Sequence, residues 1–227
     1  MEDWRVSRVG DAAITIEFEL RIDPAINTRV LAVADAVRGS NHGGVRDVVE
    51  SYCAVTVEYD PVRTDVERVI RDLEAAAGRE RGGAADGREH TVPVCYGGDF
   101  GPDLAAVAAF AECSEARVIE THGAAVYRVY MLGFLPGFAY MGPVDERIAM
   151  PRRESPRLRV PAGSVGIAGR QTGVYPVLAP GGWRLIGRTP VKPFDLERSE
   201  PFLLTPGDRV RFEAVSESEY RRLSRET

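Results

Sequence analysis

Apolar and polar positions alternate with a period of two along Ala13-Ile14-Thr15-Ile16-Glu17-Phe18, which predicts a half-buried strand. Trp4 to Val9 precedes it across Gly10-Asp11, a hairpin signal. Asp23-Pro24 reads as an N-cap followed by proline at the first helical position. Ile26, Val30, Val33 and Val37 then recur at helical spacing until Gly39. Val45–Glu50 and Ala54–Tyr59 are two further strands. Thr64-Asp65-Val66-Glu67 forms a capping box before the apolar stripe Val66, Val69, Ile70 and Leu73. The order ββαββα predicts a small α/β sandwich, an antiparallel sheet with helices on one face.

Arg79 to Arg88 carries charges and three glycines but no large apolar residue, so it reads as a linker. Domains at 1–82 and 88–227 follow. The second piece is patterned differently. Gly133 to Pro190 holds ten glycines and eight prolines, a density that forbids long helices. Short strands are predicted at Ala125–Met131, Arg157–Val160, Val165–Ala168, Val174–Val177, Trp183–Ile186 and Asp208–Val215. Two short helices precede them, Pro102–Glu112 and Glu115–Thr121, capped by Asp99 or Gly101 and by Ser114. Many short strands with Gly/Pro turns predict a barrel or sandwich, making the whole chain α+β.

Composition adds limits. The chain has 227 residues, 29 basic and 34 acidic, for a net charge of −5. It has no general electrostatic pull on nucleic acid or anionic lipid. Lys192 is its one lysine, so arginine is the default cation. Cys53, Cys95 and Cys113 lie far apart without zinc-ligand spacing and read as buried thiols of a reducing compartment; no metal site is expected. The N-terminus lacks a basic patch followed by an apolar run. The longest charge-free stretch that suggests a span, Gln171 to Trp183, is broken by glycine and proline. A cytoplasmic location is expected.

Candidate chemistry gathers between Tyr130 and Asp195. Glycines there would let backbone N–H groups approach an anion, and Arg152, Arg153, Arg157 and Arg159 would fork onto a carboxylate or phosphate. The alternative is a turn-rich barrel with solvated arginines. There is no P-loop. Gly163, Gly166 and Gly169 have the wrong spacing for a dinucleotide fingerprint, and Ser164 lacks the glycine of a hydrolase elbow. His42, in a Gly-rich turn, and His90, in the linker, read as surface residues. His122 is either an acid–base group or a helix C-terminal histidine.

The run contains GFLPGFAY at 133–140, Pro151-Arg152, PRLRVPAGSVGIAG at 156–169, QTGVYP at 171–176 and PGGWRLIGRTP at 180–190. On these motifs, with weaker ones at Gly10-Asp11-Ala12, Gly101-Pro102-Asp103-Leu104 and His122, the sequence resembles the B subunit of bacterial 5-oxoprolinase. That family includes proteins labelled allophanate hydrolase subunit 1 and the sporulation kinase A inhibitor, and it is similar to part of the urea carboxylase carboxyltransferase domain. The resemblance implies an N-terminal α/β domain followed by a cyclophilin-like β-barrel. It implies ATP-dependent opening of 5-oxo-L-proline to L-glutamate, with ATP and Mg2+ not tightly bound, partner A and C subunits, and inactivity of the chain alone.

On that resemblance, His122, Gln171 and Arg157 are the candidate catalytic residues. Tyr140, Arg152, Gly163, Ser164, Gly166, Gly169, Thr172 and Arg188 are the candidate substrate- or phosphate-binding ones. In these roles Gly163–Gly169 form a backbone anion nest, Gln171 and Thr172 orient the amide, and Tyr140 supplies a hydroxyl. The whole reading requires the Gly/Pro-rich stretch to make a donor-lined wall that grips an anion. Two rival functions remain open: a regulatory module that inhibits a histidine kinase, and a carboxyltransferase- or allophanate hydrolase-related component of urea and amide metabolism.

Overall fold

The computed structural model describes residues 3–40, 42–79 and 87–226. Contacts divide the chain into two compact units, Met1–Asp86 and Gly87–Thr227. Most of the expected linker, at 80–86, lies outside the described residues.

In the first unit, β1 (Arg5–Val9), β2 (Ala13–Glu17), β3 (Val45–Glu50) and β4 (Ala54–Tyr59) form an antiparallel sheet in the order β1-β2-β4-β3. Alternation sends Ile14, Ile16, Val55, Val57 and Tyr59 into one core. There they meet Val30, Val33 and Val37 of α1 (Pro24–Gly39) and Val69 and Leu73 of α2 (Val66–Ala77). The other face is partly polar, with the Thr15 and Thr56 hydroxyls 2.9 Å apart. The Asp23 carboxylate caps α1 by accepting from the N–H groups of Ala25 and Ile26. α2 is capped by Asp65, not by the expected Thr64: the Asp65 carboxylate accepts from the Arg68 N–H. His42 departs from its expected surface role. Its side chain is buried, with Nε2 3.1 Å from an Asp72 carboxylate oxygen.

The second unit is a closed seven-stranded barrel. Its strands are β5 (Glu89–Tyr96), β6 (Val126–Leu132), β7 (Ala139–Gly142), β9 (Ser164–Ala168), β10 (Gln171–Val174), β12 (Arg184–Arg188) and β13 (Arg209–Ala214), with β8 (Arg157–Val160) and β11 (Ala179–Gly181) paired as a separate arm. The order around the barrel is β10-β7-β6-β13-β5-β12-β9, and the β9–β10 hairpin closes it. β5 and β13 run parallel, and the other pairs are antiparallel. Helices α3 (Leu104–Phe110) and α4 (Glu115–Ala124) add Leu104, Val107 and Val118 to the core of Val92, Val94, Met141, Val165, Ile167, Ile186 and Phe212. A third helix, α5 (Glu217–Leu223), follows β13.

Four strands differ from expectation. β5 takes in His90, a linker residue by sequence; its Nε2 lies 3.1 Å from Asp208. Pro93, which has no N–H, interrupts the donor pattern of that strand. β7 and β11 are only four and three residues long, too short to show a period. β10 occupies Gln171–Val174 rather than Val174–Val177. Its Gly173 lacks strand propensity and is there because a Cβ would stand 2.8 Å from the Ala139 carbonyl oxygen and 3.1 Å from Trp183. No helix among the described residues is long and apolar enough to cross a membrane. Cys53 and Cys95 are buried, Cys113 is half-buried, and all three are free thiols.

Gly163 enters β9 at φ +77°, where a Cβ would stand 2.3 Å from the Thr189 carbonyl oxygen; Gly169 leaves it at φ +59° with open space around it. Gly163→Ala should therefore destabilise the chain by about 1–3 kcal/mol of backbone strain plus the clash. Gly169→Ala should cost only the left-handed penalty, about 1–2 kcal/mol. Thermal unfolding of the two variants checks the ranking, which equal losses would refute.

Candidate functional site

The outer face of β7, β10, β9 and β12 is an aromatic wall. Residues alternate across these strands, so Met141, Thr172, Val165 and Ile167 point inward while Tyr140, Gln171, Gly173, Ser164 and Gly166 take the other face. Gly166 and Gly173 have no Cβ, which leaves room for an indole: added methyls would lie 3.1 Å from the Trp183 side chain. Phe138, Tyr140, Tyr175 and Trp183 pack edge to face with ring centroids 4.8–6.4 Å apart. Arg152, exposed, sits 5.9 Å from the centre of the Trp183 ring and makes no ion pair among the described residues. Burial raises the pKa of the half-buried Tyr140 hydroxyl, and the Arg152 charge pulls it partly back. Gln171 is partly exposed on the same face, and its Oε1 is buried without a partner. The structure thus brings Tyr140, Arg152 and Gln171 onto one surface.

Arg157 points elsewhere. Its Nη1 and Nη2 donate to the two oxygens of Asp103 at 2.9 and 2.8 Å, and Arg153 Nη1 adds a third bond at 3.3 Å. The Leu185 N–H donates to the same carboxylate at 2.7 Å. Asp103 is 4% exposed. Burial alone would raise its pKa; the hydrogen bonds from Arg157 and Leu185 and the charges of both arginines outweigh that and hold it below the usual carboxylate range. Asp103 is also the N-cap of α3, in place of Asp99 or Gly101, yet its side chain makes no bond to that helix. The fork expected to hold a substrate anion is therefore filled from within.

His122 and Thr172 lie inside the barrel, both fully buried. The Thr172 hydroxyl donates to the Gly166 carbonyl at 3.0 Å, so it accepts from His122 Nε2–H at 3.0 Å. His122 Nδ1 then accepts from the Tyr96 hydroxyl at 2.8 Å. The imidazole stacks on Phe212 with centroids 4.7 Å apart. Burial pulls its pKa down to about 3. This is a neutral core histidine out of reach of a solvent-borne substrate, and the acid–base role expected of it has no geometric support.

The expected anion nest has no free donors at three of its positions. The N–H groups of Gly163, Ser164 and Gly169 go to the carbonyls of Tyr175, Pro161 and Met150, and Gly166 lies within β9, which pairs on both edges. Arg188 lies apart from the aromatic wall's Arg152, at a cleft lined in part by Gly97, Gly98, Asp99 and Phe100. Sequence reasoning missed Trp183 and Tyr175 as wall residues and Asp103 as a buried carboxylate. The signals were present: two aromatics within QTGVYP and PGGW, and an acidic residue directly before an apolar helix.

Residues 4–204 match the family described as carboxyltransferase domain, subdomain C and D. The chain is 40% identical over 228 residues to the 5-oxoprolinase B subunit of Bacillus subtilis (strain 168), covering 96% of this chain and 95% of that protein. It is 42% identical over 216 residues to the 5-oxoprolinase B subunit of Escherichia coli O157:H7, covering 93% and 96%. The crystal structure of TTHA0988 superposes with a TM-score of 0.81 at 39% identity over 90% of this chain, which spans 40% of that longer one. The Kluyveromyces lactis urea amidolyase, 22% identical with a TM-score of 0.78 over 96% of this chain and 15% of that one, shares the fold. The chain belongs to the carboxyltransferase-domain family and, within it, to the 5-oxoprolinase B subunits.

His122 gives a pH prediction. Its folded pKa lies below its unfolded value of 6.5, so the unfolded chain takes up a proton that the folded chain refuses. The stability contributed above pH 6.5 is lost as pH falls from 6.5 towards 3. Over that window the unfolding free energy of the native chain should fall more steeply than that of His122→Gln, by up to about 1.4 kcal/mol per pH unit. Denaturant titrations at several pH values check this; parallel slopes would contradict it.

Proposed function

We propose that this chain is the B subunit of an ATP-dependent 5-oxoprolinase, opening 5-oxo-L-proline to L-glutamate together with the A and C subunits. The observation that carries the reading is the unspent Arg152 cation at the rim of the aromatic cluster, on the same outer face as Tyr140 and Gln171. 5-Oxoproline is a flat lactam with a carboxylate and an amide. Tyr140, half-buried at the rim of the cluster, offers an aromatic edge to the ring, Arg152 a partner for the carboxylate, and the partly exposed Gln171 an amide for the lactam. The family relationship supplies the substrate class.

The lactam amide is resonance-stabilised, and its opening consumes one water across the C–N bond. ATP supplies the phosphoryl group that activates the carbonyl, and leaves as ADP and phosphate. In this chain Tyr140 is the hydroxyl placed on the wall, and Arg157 is a positioning residue that acts through Asp103. Phe138, Tyr175 and Trp183 are buried in a cluster with Val160 of β8 and Ala179 of β11, and Arg152 and Phe134 stand exposed at its rim. One surface of this kind does not exclude water from a reaction. A companion subunit that covers it would complete the site, and the isolated chain is expected to be inactive.

Co-expression with the candidate A and C subunits, followed by measurement of 5-oxoproline-dependent ADP release, tests the reading. The complex should turn over and the isolated chain should not. Arg152→Ala should lower kcat/KM at least tenfold, equivalent to about 1.4 kcal/mol, mainly through KM. A complex without 5-oxoproline-dependent ADP release overturns the function. Unchanged kcat/KM in the variant removes Arg152 from the site.

A further inference from the structure

A cleft of about 430 Å³ opens beside β5, β12 and the start of α5, and Cys95, Gly98, Asp99, Phe100, Arg188 and Arg221 are among the residues lining it. Arg188 is the register partner of Cys95 on β5 and of Ser164 on β9, so these three side chains form one row across adjacent strands. The row is poorly satisfied. Ser164 is fully buried and its Oγ has no partner. Arg188 Nε is also buried and without a partner. The one hydrogen bond of this guanidinium among the described residues is a long donation from Nη2 to the Asp99 carbonyl, 3.5 Å. Its central carbon sits 5.7 Å from the centre of the Phe100 ring.

The carboxylates at the cleft do not neutralise this cation. Glu217 is spent on Arg221, whose Nε donates to it at 2.9 Å, and Asp99 makes no ion pair among the described residues. The backbone is also short of acceptors. Gly97 and Gly98 take φ values of +73° and +50°, and the N–H groups of Gly98 and Asp99 donate to no acceptor among the described residues. Gly98 and Asp99 lie in a turn that places two open N–H groups side by side, an arrangement that favours an anion.

We infer that this cleft is an oxyanion site, anchored by Arg188 and completed by the Gly98 and Asp99 amides. An unpaired buried guanidinium N–H is costly, and a ligand with two or more anionic oxygens satisfies the fork and the amides together. The unpaired Asp99 carboxylate restricts the site to one charged group, because a polyphosphate chain would bring further negative charge against it. The ligand is a single phosphoryl group or a carboxylate. The site stands on its own geometry, and only the identity of its occupant during catalysis rests on the proposed 5-oxoprolinase reading.

Titration of the full-length chain with inorganic phosphate, and separately with 5-oxoproline, followed by amide NMR, tests this. Phosphate should shift the Gly98 and Asp99 amides saturably. Arg188→Met should abolish the shift, and Arg188→Lys should weaken binding at least tenfold, because the ammonium lacks the fork. Spectra unchanged elsewhere show that both variants fold. Saturation by 5-oxoproline alone keeps the oxyanion site and makes its ligand the carboxylate. No saturable shift with either probe, or equal shifts in Arg188→Met, overturns the proposal. A chain that binds phosphate here while its complex releases no ADP keeps this site and loses the 5-oxoprolinase function; the reverse result loses the site alone.

Discussion

Asp103 carries a full negative charge at a place almost closed to water, and the barrel unit is arranged around keeping it charged. Removing a carboxylate from water costs several kcal/mol unless strong donors replace the lost hydration. Here the donors come from two separated parts of the chain: Arg153 and Arg157, just before and at the start of β8, and the Leu185 N–H on β12. The Asp103 N–H donates back to the Leu185 carbonyl at 2.9 Å. One side chain thus ties the beginning of α3, a barrel strand and the β8–β11 arm. The segment it secures also carries Arg152 to the edge of Trp183, so the charge chemistry of the wall depends on a carboxylate that never faces the solvent.

The wall and the core use opposite faces of the same strands, and that division explains what each residue type is for. Inward positions hold Val165, Ile167 and Met141, with one polar chain, Tyr96–His122–Thr172, whose donors and acceptors are fully matched. Outward positions alternate glycine with aromatic side chains, because each ring needs the volume that a neighbouring Cβ would take. Gly181 shows the same logic, as an added methyl would stand 2.3 Å from the Tyr175 hydroxyl. The density of glycine and proline is a packing requirement of this face before it is a means of exposing backbone donors.

Much of the first unit was legible in the sequence because its signals are local. The strands at Val45–Glu50 and Ala54–Tyr59, and the helix opened by Asp23-Pro24, have the expected bounds. Alternation and capping are decided within a few residues. The barrel class was legible too, from short runs between turns. The site was less so. Arg153 and Arg157 read from sequence as partners for an external anion, since nothing in their spacing reveals that Asp103, some fifty positions earlier, is folded beneath them. The GxxGxxG pattern looked like a donor nest, but a strand paired on both edges spends its N–H groups in the ladder, and spacing does not distinguish the two. His122 was readable either as chemistry or as structure, and burial decides for structure. The resemblance to the 5-oxoprolinase B subunits supplied the family directly, and the 40% identity to the Bacillus subtilis protein shows it.

A double-mutant cycle between Asp103 and Arg157 measures the central interaction most directly. Unfolding free energies of Asp103→Ala, Arg157→Ala and the double variant yield the coupling between the two side chains. A buried bidentate pair holding three elements together predicts a coupling near the upper end of the measured range, about 2–3 kcal/mol, with the double variant little worse than either single one. Additive losses within about 0.5 kcal/mol would mean that the carboxylate and the guanidinium stabilise the barrel independently, and the account built on Asp103 would fail.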